Sequence, residues 1–311
     1  MDVSVIIVNW NAGAVLEACL SSLPAALGSL SSEIWVIDNA STDGSQATVR
    51  GQFPQVKLLA NTANSGFAAA NNQAASQASG RYFLLLNPDT SAPPGSLERL
   101  LRFAETQPAA GCVGPRLIHA DGRYQRSAWF GFPGLGMAIM DAVYLWKIPW
   151  LPLTRRIELD PERLNGPAEV DHLLGACLLI RREVWQQVGG LDEGFFLFFE
   201  ETDWCYRARQ AGWQIVYQPA VTITHLGEHS VNQKPARSLP QFYRSFCRFY
   251  RKHASTGPVR LGLLKMVFAA AAVLRIGLWR ARRVARGAAA AQQARAMEAG
   301  YWQVLRELPS F

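Results

Sequence analysis

The stretch "FLFFEETDWCY", residues 196–206, runs an apolar approach directly into three carboxylates, Glu200, Glu201 and Asp203. Two chemistries suit such a pattern. A helix start favours acids beside its unpaired N–H groups. A cleft holds a carboxylate against apolar walls so that it can take a proton from a substrate. Further acids and amides recur at "NWN" (9–11), "DNAS" (38–41), "NSG" (64–66) and "NPD" (87–89), and a single histidine, His225, closes the run "VTITH". Asp89 is suited to a hard divalent cation, which takes carboxylate and phosphate oxygen. It is equally suited to a turn after Pro88. His225 can supply a nitrogen ligand or serve as a structural strand end.

The elements that would position these residues are apolar strands alternating with helices. Strands are expected at Val3–Trp10, Glu33–Ser41, Val56–Asn61 and Arg81–Thr90. The first helix, Val15–Leu23, is expected to stop at Pro24, and another covers Gly66–Ala78. Such alternation predicts an α/β class with a mostly parallel central sheet flanked by helices. In such sheets ligands bind at the carboxyl ends of the strands, where all four polar loops fall. Ala176–Gly190 reads as a strand and a short helix, Thr202–Gly212 as a helix, and Trp213–Gly227 as two strand pieces broken at Pro219. Residues 127–169, rich in aromatics, Pro and Gly, read as an insertion or acceptor loop.

Composition narrows the class. The chain has 311 residues, 49% of them hydrophobic and 18% charged, which describes a globular protein. Five dispersed cysteines without a CxxC pair suit a reducing compartment, and the N-terminal sequence predicts no secretory leader, so the expected location is cytoplasmic. The net charge of +7 is unevenly divided. Residues 1–233 carry sixteen basic and twenty-two acidic groups, whereas 234–311 carry fifteen basic groups against Glu298 and Glu307. A globular domain over 1–233 and a basic helical extension over 234–311 follow. Within the extension, Leu261–Trp279 is apolar but interrupted by Lys265 and Arg275, and Arg275, Arg282 and Arg286 fall at helical spacing. That pattern predicts an amphipathic helix lying on an anionic membrane, peripheral at the inner face of the plasma membrane. Packing of the helix on the body and a true membrane span are the alternatives. The chain lacks G-x-G-x-x-G, G-x-x-x-x-G-K-[ST] and G-x-S-x-G, which removes support for dehydrogenases, phosphate-loop kinases and serine hydrolases. No base-stacking or groove-reading motif accompanies the basic tail, so nucleic acid is not an expected partner.

Six blocks, "VSVIIVNWNAGAVLEACLSSL", "EIWVIDNASTDGS", "NSGFAAANNQA", "LLLNPDT", "GACLLIRREVWQQVGGLDEGFFLFFEETDWCYRARQAGW" and "ITHLGEHS", resemble in order those of the family 2 glycosyltransferases, most closely the rhamnosyltransferase-like branch. The resemblance covers residues 3 to 232. It implies a GT-A fold, a nucleotide-sugar donor, a divalent metal (Mg²⁺ or Mn²⁺) and inversion at the anomeric carbon. It assigns nucleotide and donor binding to Asn9, Asn11, Asp38, Asn39, Asn64, Gly66, Asn71 and Asn87. Metal binding goes to Asp89 with His225, and acceptor contacts to Gly175, Ala176 and Asp192. Glu201 matches the general base, with Glu200 and Asp203 as neighbours that orient the acceptor or raise its pKa. The family's D-x-D motif is here Asn87-Pro88-Asp89, with an amide in place of the first acid. The expected reaction is transfer of L-rhamnose from dTDP-L-rhamnose to a lipid-linked or surface-polysaccharide acceptor. The alternatives are a UDP-hexose or UDP-galactofuranose donor, or a non-catalytic sugar-nucleotide scaffold.

Overall fold

The structure, a computed structural model, describes residues 1–142, 164, 166–227, 235–254, 257–285 and 288–311. Residues 143–163 and 165 of the expected acceptor loop, and Arg286 of the expected basic face, lie outside the described residues. The chain forms two compact units. The first comprises described residues up to 132, from 164 to 196 and from 200 to 227; the second comprises 133–142, 197–199 and the described residues from 235 onward.

The first unit is built on one mixed sheet. Strand β1 (Val3–Asn9) pairs in parallel with β2 (Ser32–Asn39) and β4 (Tyr82–Leu86), and β2 pairs in parallel with β3 (Lys57–Asn61). Beyond β4 the directions mix. Strand β11 (Cys177–Arg181) runs antiparallel between β4 and β6 (Ala110–Ile118), and β12 (Gln214–His225) lies parallel to β6. The short β5 (Thr90–Ser91) pairs antiparallel with the end of β12, and β7 (Tyr124–Gln125) turns back on β6. Two-residue β8 (Ala128–Trp129) pairs with β10 (His172–Leu173), and β9 (Ala168–Val170) pairs with β12.

The central strands are apolar throughout because both faces are covered. Val5, Ile7, Leu84 and Leu86 join one core with α1 (Gly13–Leu27) and α4 (Ser96–Glu105). Ile6, Val8, Phe83 and Leu85 face the other, with α3 (Phe67–Ala75), α6 (Arg182–Val188) and α7 (Glu200–Gln210). Helix α2 (Ser45–Gln52) lies between β2 and β3 in the chain.

Three sequence expectations change. Helix α1 does not stop at Pro24 but runs to Leu27, ending where Gly28 adopts φ +56° and donates its N–H to Pro24 O. A proline removes one donor, and the helix needs only one further turn. Pro219 does not split the last strand; β12 continues past it with a register shift between Gln218 and Thr222. The third change concerns Arg275, in the second unit.

The second unit contains α5 (Leu135–Ala142) and three long helices, α8 (Pro235–His253), α9 (Pro258–Ala285) and α10 (Ala288–Glu307). Phe199 packs its ring against Phe242 and Phe246 of α8, and Tyr243 and Phe246 meet Phe268 of α9. Arg275 is not on a solvent-facing basic stripe. It is 6% exposed, with its guanidinium donating to the Tyr243 hydroxyl at 2.6 Å and the Asp141 carboxylate at 2.7 Å. The exposed surface of α9 is apolar at Val259, Leu263, Met266, Val273, Leu274 and Leu278. By length and composition α9 is long and apolar enough to cross a membrane. All five cysteines are free thiols and buried: Cys19, Cys112, Cys177 and Cys205 in the first unit, Cys247 in the second.

Candidate active site

The polar loops expected at the strand ends converge in the first unit. Asn9, the last residue of β1, donates through Nδ2 to Asp38 Oδ2 at 2.6 Å and Ser45 Oγ at 2.9 Å. The other Asp38 oxygen accepts from the Ser41 N–H at 2.9 Å and Gln46 Nε2 at 2.7 Å, so Asp38 is fully buried and fully engaged. Asn11 accepts the Thr42 N–H at 2.8 Å and donates its own N–H to Ser41 Oγ at 2.9 Å. Asn39 reaches the next loop, donating to Gly66 O at 3.1 Å and accepting from Asn61 Nδ2 at 2.9 Å. Asn64 accepts the Gly66 N–H at 2.9 Å. A Cβ on Gly66 would lie 2.6 Å from Phe196 O, so only glycine admits this approach at φ +86°. Buried Asn9 Oδ1 and Asn71 Oδ1 meet no donor among the described residues. Buried carbonyl oxygens are nearly always paired, so these two are acceptors available to a polar partner.

Backbone strain gathers at the same places. The non-glycine residues with positive φ among those described are Asn11, Ala40, Phe198 and Phe199. The first two flank the β1 and β2 loops and the last two precede the acids. Left-handed backbone costs about 1–2 kcal/mol per non-glycine residue and concentrates at functional sites.

The three acids that opened the question have three different fates. All lie in the first turn of α7, so the helix-start reading is correct as far as it goes. Glu200 is buried, and its Oε2 meets no donor among the described residues. Burial first, and the adjacent Glu201 charge second, hold its carboxyl well above the ordinary range. Glu201 is half-buried; burial pushes it up to about 7, while N–H groups of Glu201, Thr202 and Gly175 favour its charged form. Asp203 is fully buried and ion-paired with Arg207 one turn on at 2.8 Å. That guanidinium also donates to Val188 O and Gly190 O, so Asp203 anchors the loop after α6 through Arg207.

Glu201 is brought beside the second polar cluster by Gly175 and Ala176. A Cβ on Gly175 would sit 3.4 Å from Glu201 Cγ, so the strand entry lies directly against this side chain. The neighbouring Ala176 O accepts the Asn87 N–H at 2.9 Å. From Asn87 the contacts continue to His225, whose Nε2 lies 3.3 Å from Asn87 Nδ2 and 3.2 Å from Asp89 Oδ1. Antiparallel pairing of His225 with Thr90 fixes this meeting. Asp192 lies apart from these contacts, with its carboxylate accepting the Gly194 N–H at 2.9 Å in a local turn.

A divalent cation fits the Asp89–His225 pair. Ligands at about 2.1 Å from an octahedral cation and at right angles to each other stand about 3.0 Å apart. The observed 3.2 Å is close to that, and the donors are one hard oxygen and one imidazole nitrogen. Among the described residues no third His, Cys, Asp or Glu joins them, so further ligands would be substrate oxygens and water. Sequence reasoning missed Gln125, which meets His225 Nδ1 at 2.8 Å from 100 residues away, and Ser45 and Gln46, which engage Asn9 and Asp38. "STDGSQ" signals a polar turn, but no spacing signal marks Gln125.

A mixed sheet whose polar loops gather at one end, with Asp89 against His225 and a carboxylate of raised pKa at Glu201, is an arrangement suited to group transfer. Residues 4–189 match the family described as Glycosyl transferase family 2, and the chain belongs to that family; it is a glycosyltransferase of GT-A fold. It is 34% identical over 255 residues to the N-acetylglucosaminyl-diphospho-decaprenol L-rhamnosyltransferase of Mycobacterium tuberculosis, covering 78% of this chain and 81% of that one. It is 24% identical over 249 residues to the low-salt glycan biosynthesis hexosyltransferase Agl10 of Haloferax volcanii, covering 79% and 73%. Among solved structures, the mannosyltransferase PcManGT from Pyrobaculum calidifontis, in complex with GDP-Man and Mn²⁺, superposes with a TM-score of 0.58 at 16% identity, over 99% of this chain and 86% of that one.

Proposed function

We propose that the enzyme transfers L-rhamnose from dTDP-L-rhamnose, with inversion, to a sugar carried on a lipid diphosphate. The observation that carries the chemistry is the succession of contacts from Glu201 through Gly175–Ala176 and Asn87 to Asp89–His225, which links a carboxylate raised to about 7 to a cation-type pair. The similarity to the mycobacterial rhamnosyltransferase supports the choice of sugar and acceptor.

In this reading ionised Glu201 takes the proton of the acceptor hydroxyl as that oxygen bonds to the anomeric carbon. The bond from that carbon to the diphosphate breaks on the opposite face, so the configuration inverts. Asp89 and His225 would hold a divalent cation, which neutralises charge growing on the leaving diphosphate. The loops of Asn9, Asn11, Asp38, Asn39, Asn64, Gly66 and Asn71 bind the nucleotide, Asn87 holds its partners at the sugar end, and the N–H of Gly175 orients Glu201. Asp203 acts on the fold of α7.

Calorimetric titration with dTDP and UDP, each with and without Mn²⁺, tests the reading. Metal-dependent binding that favours dTDP is expected. A preference for UDP would move the reaction to a UDP-sugar while keeping the chemistry, and binding of neither nucleotide by folded protein would overturn the donor assignment.

The second unit supports peripheral attachment at the cytoplasmic face of a membrane. The apolar stripe of α9 from Val259 to Leu278 is bordered by exposed Arg260, Arg280, Arg282 and Arg283, a combination suited to an interface of acyl chains and anionic headgroups. Sedimentation with vesicles is expected to show binding to anionic phosphatidylglycerol that weakens with salt and with Met266→Glu/Val273→Glu. Equal binding by that double variant would remove α9 as the contact.

A further inference from the structure

The imidazole of His225 is held by more than Asp89. Its Nδ1 lies 2.8 Å from Gln125 Oε1, and its Nε2 lies 3.3 Å from Asn87 Nδ2. An amide oxygen only accepts and an amide nitrogen only donates. Both contacts therefore select the tautomer with the proton on Nδ1 and the lone pair on Nε2. Asp89 Oδ1 stands 3.2 Å from the same Nε2, a separation that suits a shared cation when the ring is neutral and an ion pair when it is protonated.

The position of Gln125 is itself built. Strand β7 returns on β6 through a turn at Gly122, whose φ is +80°, and pairs Gln125 with Leu117. Across from it, Gly227 at φ +68° has no side chain, and a Cβ there would lie 2.7 Å from Gln125 Nε2. A glycine two residues after the histidine thus leaves room for the amide that orients the histidine. The amide at position 87 has the same logic, since a carboxylate there would present a third acceptor to Nε2.

We propose that Gln125 is a positioning residue for metal binding: by accepting the Nδ1 proton it fixes the His225 tautomer that offers Nε2 to a divalent cation. This rests on the reading of Asp89 and His225 as the metal pair. Outer partners of a ligating histidine typically contribute 10- to 100-fold to metal affinity.

The test uses the full chain and Mn²⁺ as probe, with the free aquo-ion counted by EPR, alone and with dTDP present. Gln125→Leu is expected to weaken Mn²⁺ binding about 10- to 100-fold, while Gln125→Glu, which still accepts the Nδ1 proton, retains it. In parallel, histidine ¹⁵N NMR of metal-free protein reads the tautomer directly. The wild type and Gln125→Glu are expected to carry the His225 proton on Nδ1, and Gln125→Leu to show a mixture. A proton on Nε2 in the wild type would overturn the proposal even if Gln125→Leu fails to fold. Unchanged Mn²⁺ binding in folded Gln125→Leu, with binding lost in His225→Ala, would overturn it alone. Unchanged binding in His225→Ala would overturn the metal pair and the proposal together.

Discussion

Glu201→Gln is expected to leave the nucleotide bound and to reduce transfer by about 10²- to 10⁴-fold, the range for loss of a positioned general base. The amide is nearly isosteric, so the helix start and the Gly175 contact persist while proton acceptance is lost. The neighbouring Glu200→Gln is expected to behave in the opposite way. Glu200 is buried, and its burial and the charge next to it raise its pKa and favour the uncharged form that glutamine mimics. Activity of that variant should stay within a few-fold of wild type. The pH profile supplies the sign. Burial lifts Glu201 to about 7, and only the ionised form accepts a proton, so kcat/KM should rise with pH through about 7 and fall below it. Comparing pH–rate profiles of both variants with wild type checks all three statements. Full activity in Glu201→Gln at saturating donor and acceptor would remove Glu201 as the base.

The other large effect concerns stability. Asp203 is fully buried and ion-paired with Arg207, which also ties down the carbonyls of Val188 and Gly190. Removing one partner of a buried pair costs several kcal/mol, because the remaining charge loses its compensation. Arg207 keeps two carbonyl acceptors and its side chain is 22% exposed, so Asp203→Ala is expected to cost about 3 kcal/mol. For a unit of this size that lowers Tm by about 6–12 °C in a thermal melt. An unchanged melt with abolished transfer would return Asp203 to a substrate-facing role.

The three acids show how far the sequence could be read and where it stopped. Their position at a helix start and the apolar approach were legible, since both follow from local pattern. Their division into a buried acid of raised pKa, a titrating base and an ion-paired strut was not, because it depends on Arg207 and on burial created by distant elements. The convergence of Asp89 and His225 was partly legible, for both lie at strand ends of an α/β sheet. The antiparallel insertion of β11 and the pairing of β5 with β12 that join them carry no local signature. Gln125 was invisible for the same reason. In the C-terminal segment the apolar run was plain, but helical spacing alone placed Arg275 on a wet face. Its burial follows from Tyr243 and Asp141, which no periodicity within α9 could reveal.

The complete burial of the thiols gives the chain an internal record of its own opening. Burial raises the pKa of every cysteine, so in the folded protein each sulfur is both shielded and protonated, and the thiolate that reacts with a disulfide reagent is scarce. Labelling therefore waits on unfolding, and its rate measures how often a given region opens. Four of the thiols belong to the sheet unit and one, Cys247, to the helical unit. A time course that releases one equivalent of chromophore and then four, or four and then one, would tell which half of the molecule yields first, without any added probe.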